Sequence, residues 1–576
     1  MIQRRIYKLV LLVPCAFRLR QGYVGRRVPC ALYLVPFFLC LGFLAQAQDT
    51  SKRRTIDITS TFKPTLKETA KINFSASAPS ADTSHPKLNY SIPVQNLVFS
   101  YQPAELNPVA LKIDSLNAWD YSNYIKAGIG TVHQPYIQAG FSFGNDKNAY
   151  FNAFADHYTS KGDLPFQKNS RTSVGLNGTM RLENNNELNG KLGFKSEDYY
   201  FYGYKPDSLK FSKEQLLQRF QTFEGKLNFR NTVPTEYGLT YNPNLYVSVF
   251  GNNRDPKGTE ANTVLNLPLE KTFGRSFGFS LGLTADLTNF RPTGSTSNSF
   301  NNNLYLIKPS LLLKTPNIYG VAGIIPSWDR KAFTLLPNIM AEVTTNDQRF
   351  TIQAGWIGYY NKGSYQRFAE MNPWIAMPDS LRNARVQERY AGFKGTLSNH
   401  FNYSAKIGFN IYKNQPLFVN DMGDGKTFLT IYEPSMEVLQ LHAEVAYTLG
   451  EVFSAGAKLD FNQFTKLERE KKAWGMIPLE LDASLKWRLM KDLWLRADLF
   501  AWDGPQYRGK NGDAFKGTTG FDLSTGVEFR ITKQFNLWLQ MNNIFNNKYE
   551  RWHQYQAYGF NILGGIVYSF GQNKGH

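Results

Sequence analysis

Few positions in this 576-residue chain combine residue types in a way that could do chemistry. Gly278-Phe279-Ser280-Leu281-Gly282 has the Gly-x-Ser-x-Gly order of a nucleophile elbow, which needs a sharp strand-to-helix turn to present its serine. Here the motif sits inside an alternating apolar run from Phe277 to Leu287, so Ser280 is expected in mid-strand and without a catalytic role. The seven histidines, His85, His133, His157, His400, His442, His553 and His576, show no pair at metal-ligand spacing. His442 with Glu444 reads as a solvated hydrogen bond. Asp421-Met422-Gly423-Asp424-Gly425 fails the spacing of a calcium loop and reads as turn chemistry. No catalytic, metal or cofactor-binding residue is expected, hence no enzyme and no cofactor.

Recognition is a different matter. The stretch 361–388 carries Tyr365, Arg367, Phe368, Trp374, Arg382 and Arg385, a mixture of aromatic faces and guanidinium groups that suits carbohydrate, peptide or lipid phosphate. It is the candidate ligand-contact loop. Aromatic residues at a membrane rim serve equally as anchors.

The elements that must position these groups are strands. Leu479, Leu481, Ala483, Leu485, Trp487 and Leu489 alternate with Glu480, Asp482, Ser484, Lys486 and Arg488. Phe521, Leu523, Thr525, Val527, Phe529 and Ile531 alternate likewise with Asp522, Ser524, Gly526, Glu528 and Arg530. Successive side chains of a strand point to opposite faces, so each run has one apolar and one polar face. The runs are about ten residues long, enough to cross a bilayer at a tilt, whereas soluble strands average about five or six. The short reversals 532–534, 490–492, 449–451 and 398–400 take turns with the long excursions 546–557, 503–518, 466–475, 414–434 and 361–388.

This rhythm predicts an all-β protein, a transmembrane antiparallel up-and-down β-barrel of the outer-membrane type. It has about 22 strands, within roughly 18 to 22, and an even number puts both termini in the periplasm. The first strand falls near Tyr124 to Gly130 and the barrel covers 118–570, followed by a tail at 571–576. The polar faces supply candidate lumen charges: Asp286, His442, Glu444, Glu480, Asp482, Lys486, Arg488, Arg496, Asp498, Asp522, Glu528 and Arg530. Charges of both signs on neighbouring strands form either a stiffening lattice or a selectivity field for a solute.

The amino terminus fits export. Residues 1–47 hold seven Lys or Arg, no acid, and an apolar run from Ala31 to Leu44 that ends in Ala45-Gln46-Ala47, a signal peptide cleaved after Ala47. All three cysteines, Cys15, Cys30 and Cys40, lie in this leader, so the mature chain has neither disulfides nor thiolate metal sites. Of the net +19, the leader accounts for seven charges and leaves +12 dispersed among acids, which speaks against nucleic acid as a partner. Such a charge favours anionic solutes or the phosphates of surface lipid. Aromatic residues make up 15% of the chain, led by 43 Phe and 32 Tyr, in keeping with interfacial girdles. Between leader and barrel, 48–117 is polar and proline-bearing. It is expected to be an extended periplasmic or lumenal segment, available to a periplasmic or lipoprotein partner.

The end of the chain reads Asn542-Asn543-Ile544-Phe545-Asn546-Asn547-Lys548-Tyr549, then Trp552, Tyr555 and Tyr558, then a Gly-rich strand from Gly559 to Phe570. This resembles the carboxy-terminal end of TonB-dependent receptors, where an Asn-hydrophobic-Phe-Asn-x-x-Tyr hairpin leads to a final strand ending in an aromatic. The resemblance implies an outer-membrane receptor or transporter, placed in outer-membrane lipid by the insertion machinery that reads the terminal strand. It also implies Phe545 and Tyr549 at the outer interface, Asn543 and Asn546 bonding the turn, and Ile566, Tyr568 and Phe570 on one face. The segment 48–117 lacks the Gly-rich, Arg-bearing pattern of the family's plug, so a passive porin-type channel and a structural barrel subunit of an outer-membrane assembly stand as alternatives.

Overall fold

The computed structural model describes residues 123–571 apart from 145–147, 207 and 294–298. The leader with its cleavage site, the segment 48–117 and the tail beyond Gly571 lie outside the described residues. Twenty-two strands pair antiparallel in chain order, from Asn123–Gly130 to Asn561–Phe570, and close on themselves as a barrel of the outer-membrane type. Their lengths run from 8 residues in Asn123–Gly130 to 22 in Phe428–Leu449. Closure removes the free edges that an open sheet would present to lipid.

Alternation sets which face meets lipid. Leu176, Leu192, Phe223, Leu311, Ile339, Ile352, Leu441, Trp487 and Leu537 all lie exposed on the outer surface, while their sequence neighbours turn inward. Among the described residues no helix is long and apolar enough to cross a membrane. Ser280 lies within strand Phe277–Thr293, directly opposite Ser310 and Glu270, with none of the geometry of an elbow.

One end of the barrel carries tight turns, among them 398–400, 450–452, 491–492 and 531–534. Asn184 and Asn185 reverse the chain there with φ of 57° and 58°, the left-handed pair that matches strand twist. The other end carries the long loops, two of which depart most from expectation. The excursion foreseen at 414–434 shrinks to 421–427, because strands Phe401–Asn420 and Phe428–Leu449 stay paired from Gln415↔Glu433 to Asn420↔Phe428, beyond the length a bilayer needs. The loop foreseen at 361–388 ends at 383, so Arg385 belongs to strand Ala384–Leu397.

The seam joins Asn123–Gly130 to Asn561–Phe570 in eight register pairs, from Asn123↔Phe570 to Gly130↔Leu563. Gly565 sits opposite Gly128, and a Cβ there would run into the Ala127 carbonyl and the Gly128 backbone. Trp538 packs over Gly128 and takes the Lys126 ammonium on its ring at 4.3 Å. Gly565→Val is therefore expected to force the closing strands apart, at a cost of about 1–3 kcal/mol typical of overpacking. The compact, heat-modifiable form on cold SDS gels reads this out, and an unchanged melting midpoint would refute it.

Candidate functional site

The loop between strands Phe350–Asn361 and Ala384–Leu397 folds inward against the wall at strand Lys257–Phe273, five strands away around the barrel. Its short helix, Tyr365–Met371, starts at Ser364, whose hydroxyl accepts the Arg367 N–H. The carboxylate of Glu260, on the inner face of strand Lys257–Phe273, accepts the N–H of Tyr365 at 2.6 Å and that of Gln366 at 3.3 Å. These are donors that a helix start leaves unpaired. Tyr365 then meets three inward rings of the wall, Phe220, Phe250 and Phe290, edge-on at centroid distances of 6.2, 5.2 and 5.7 Å.

Ion pairs and amides fix the legs of this loop. Lys362 Nζ lies 2.9 Å from Asp286 Oδ1 and donates to the carbonyls of Asp286 and Asn302. Burial lowers the pKa of this ammonium despite the neighbouring carboxylate. Asn302 and Asn383, both fully buried, exchange amide bonds at 2.8 and 3.0 Å. Each also grips Gly363, through its carbonyl at 2.8 Å and its N–H at 3.0 Å. Gly363 is needed because any Cβ would strike the Arg382 backbone where the two legs touch.

Other loops complete a cap. Residues 201–216, 362–383 and 543–560, with the strand tops that carry Phe418 and Phe428, share one apolar core. Trp374 stacks on Tyr555 at 4.0 Å and donates its indole N–H to the Tyr200 carbonyl at 3.1 Å. Trp552 donates to the Met371 carbonyl at 3.2 Å, and Tyr555 to the Lys426 carbonyl. Glu433 anchors loop 468–478 by accepting three successive N–H groups, those of Glu468, Arg469 and Glu470, at 2.8, 3.0 and 2.7 Å. In the loop 421–427, burial works against ionised Asp424. The N–H groups of Lys426 and Thr427, the Thr427 hydroxyl and the Lys426 ammonium outweigh it and hold the carboxyl below the usual range. Inside the segment this is turn chemistry, and the Lys205 N–H binds its Gly425 carbonyl from another loop at 3.0 Å.

Below the cap the inner wall is charged. His442 lies 2.6 Å from Asp460 and 3.1 Å from Glu444, and Lys458 lies 2.9 Å from Asp460. Glu480 stands opposite Asp460, Asp482 opposite Lys458, and Lys486 opposite Arg496. Arg496 pairs with Asp498 at 3.0 Å, Asn536 donates to Glu528 at 2.6 Å, and Asp522 accepts from Tyr549 and Ser524. Arg488 and Arg530 lie near Glu451 and Asp492 at the turn end. Asp286 is drawn out of this wall lattice by Lys362. Among the described residues no group of His, Asp or Glu is arranged to hold a metal.

The sequence-derived loop residues thus separate. Tyr365, Phe368 and Trp374 are buried in the cap core, so their faces are spent on packing and not presented to a ligand. Arg367 turns back to the Lys362 carbonyl, Arg385 donates to Thr334, and Arg382 stays exposed over the Tyr432 ring at 5.4 Å. Tyr549, expected at the outer interface, is instead buried against Trp502 at 4.6 Å because its hydroxyl finds Asp522. Phe545 is exposed on Phe521. Asn543 bonds Asn547 and Tyr558, Asn546 accepts the Phe560 N–H, and Tyr568 stacks on Phe570. Glu260, Lys362, Asn302 and Asn383 escaped the sequence reading. The aromatic run Tyr199 to Tyr202, too apolar for a solvated loop, was the available signal of a cap.

No protein-family model matches the sequence, and no curated protein matches it either. Solved structures do share its architecture. The ferripyoverdine receptor of the outer membrane of Pseudomonas aeruginosa, bound to ferripyoverdine, superposes with a TM-score of 0.59 at 12% identity, over 78% of this chain and 72% of that one. A variant of the ferric enterobactin receptor of the same organism, in complex with enterobactin, gives 0.60 at 12%, over 78% and 81%. The FrpB iron transporter of Neisseria meningitidis gives 0.60 at 10%, over 78% and 81%. This chain has the barrel fold of the TonB-dependent receptors.

Proposed function

We propose that the protein is an outer-membrane receptor and transporter of the TonB-dependent kind, with its turn end and both termini in the periplasm and its loop end facing outward. The observation that carries this reading is the cap. A passive porin needs an open mouth, whereas here loops 362–383 and 543–560 meet in one apolar core, with 362–383 latched to the inner wall at Glu260. A cap of loops with its own apolar core and a few polar latches to the wall suits a solute admitted on demand. The ferripyoverdine receptor holds ferripyoverdine and the ferric enterobactin receptor holds enterobactin, and this chain would take a solute at the exposed surface around Arg382. The lumen charges would guide it inward, with 48–117 filling the lumen or docking a periplasmic partner. The mature protein in planar bilayers should show almost no steady conductance, and deleting 48–117 should raise it. Steady conductance of the intact protein would instead establish a porin; silence in both forms would favour a scaffold.

A further inference from the structure

The wall of the barrel is notched at the loop end. Strand Phe453–Leu467 stays paired with Phe428–Leu449 as far as Leu467, but on its other side pairing with Leu479–Met490 stops at Phe461↔Leu479. Beside the exposed edge, loops 468–478 and 503–519 line a half-open cleft of about 650 Å³ together with the end of strand Phe453–Leu467. Its floor is apolar, with Phe461, Met476 and Pro478, and its walls carry Lys471, Lys472 and Lys516.

The charges are unbalanced. Asp503 is taken by Lys516 at 2.6 Å, and Glu470 by the Trp474 indole at 2.7 Å with Arg508 at 3.8 Å. Lys471 and Lys472 are exposed and, among the described residues, pair with no carboxylate. Phe461, which lines the cleft, and its register partner Leu479 are each 38% exposed and continue the apolar outer surface. A ligand that satisfies both halves has an anionic head for two adjacent ammonium groups and a hydrocarbon part that runs down the outer wall. Ammonium groups bind phosphate as point charges without the planar fork of arginine, so they tolerate a headgroup seen from many angles.

We infer that this notch holds the phosphorylated headgroup of an outer-leaflet glycolipid, with its acyl chains lying along Phe461 and Leu479. The inference rests on the outward orientation of the loop end proposed above. Lipid would then hold loop 468–478 from outside while Glu433 holds it from within.

The full-length protein, purified in mild detergent, should retain bisphosphorylated lipid A stoichiometrically by mass spectrometry. Lys471→Gln with Lys472→Gln should lower retention about tenfold or more. Lys533→Gln, in a turn at the opposite end, should not. Lys472→Glu alone is the second variant should the double one misfold, judged by heat-modifiability. With delipidated protein, lipid A stripped of phosphate should bind about tenfold more weakly or worse, and millimolar inorganic phosphate should not displace the intact lipid. Equal retention by the variants, equal binding of the dephosphorylated lipid, or displacement by inorganic phosphate each overturns the inference. Conductance and sidedness are measured separately. A silent, correctly oriented barrel that ignores lipid A sinks this inference alone, whereas labelling of the loop end from the periplasm sinks the orientation on which it rests.

Discussion

Lys362→Met is expected to turn a silent barrel into one that opens intermittently. The methionine keeps the aliphatic stem but removes the ammonium that binds Asp286 and two carbonyls at the root of the inward-folded loop. Removing one partner of a buried ion pair costs about 3–5 kcal/mol because the other charge is left uncompensated. Lys362 and Asp286 retain 12% and 15% exposure, so the lower end applies. A bias of about 3 kcal/mol shifts the ratio of released to seated loop roughly 100-fold. The readout is the frequency of open events in planar bilayers. Lys362→Arg, which keeps the charge, should restore most of the quiet state. If Lys362→Met stays as closed as the parent, the latch is not what shuts the mouth.

Trp374→Ala is expected to melt the cap while leaving the barrel intact. The indole stacks on Tyr555, meets Tyr199 and Tyr202 edge-on, and donates to the Tyr200 carbonyl. Truncating a buried tryptophan costs about 3–5 kcal/mol. That energy comes from a local unit of loops, because the strands below are held by their own ladders. Trypsin should then cut after Arg367 and Arg382 roughly 100-fold faster or more, as opening of the loop governs access. Heat-modifiability should be unchanged. Unaltered cleavage would mean that loop 362–383 is held elsewhere, and loss of the folded band would mean that cap and barrel form one cooperative unit.

Much of this protein is determined locally, and that part is legible in the residues. Period-two alternation depends only on which face each side chain takes, so Leu479 to Leu489 and Phe521 to Ile531 reveal strands and their lipid-facing side without a partner in view. Turn chemistry is equally local. The reversals at 398–400 and 531–534 close within their own few residues, and Asp421 and Asp424 bond N–H groups two or three positions on. Strand count follows from the two together. Asp482 facing Lys458 follows from the register once neighbouring strands are aligned.

The path of the loops is not local. Tyr365, Phe368 and Trp374 are as suited to a ligand as to a core, and composition alone cannot distinguish the two. What decides is Glu260, more than a hundred positions earlier, on the inner face of a strand five places away with a carboxylate for two amides of the helix. The reciprocal amides of Asn302 and Asn383, and Tyr555 lying over Trp374, are likewise pairings across large sequence separations. The sequence by itself thus determined a closed lipid-embedded barrel, because each strand reports its own two faces. Only the tertiary structure decided that its loops gather into one apolar core against the inner wall, because that depends on which loop finds which wall.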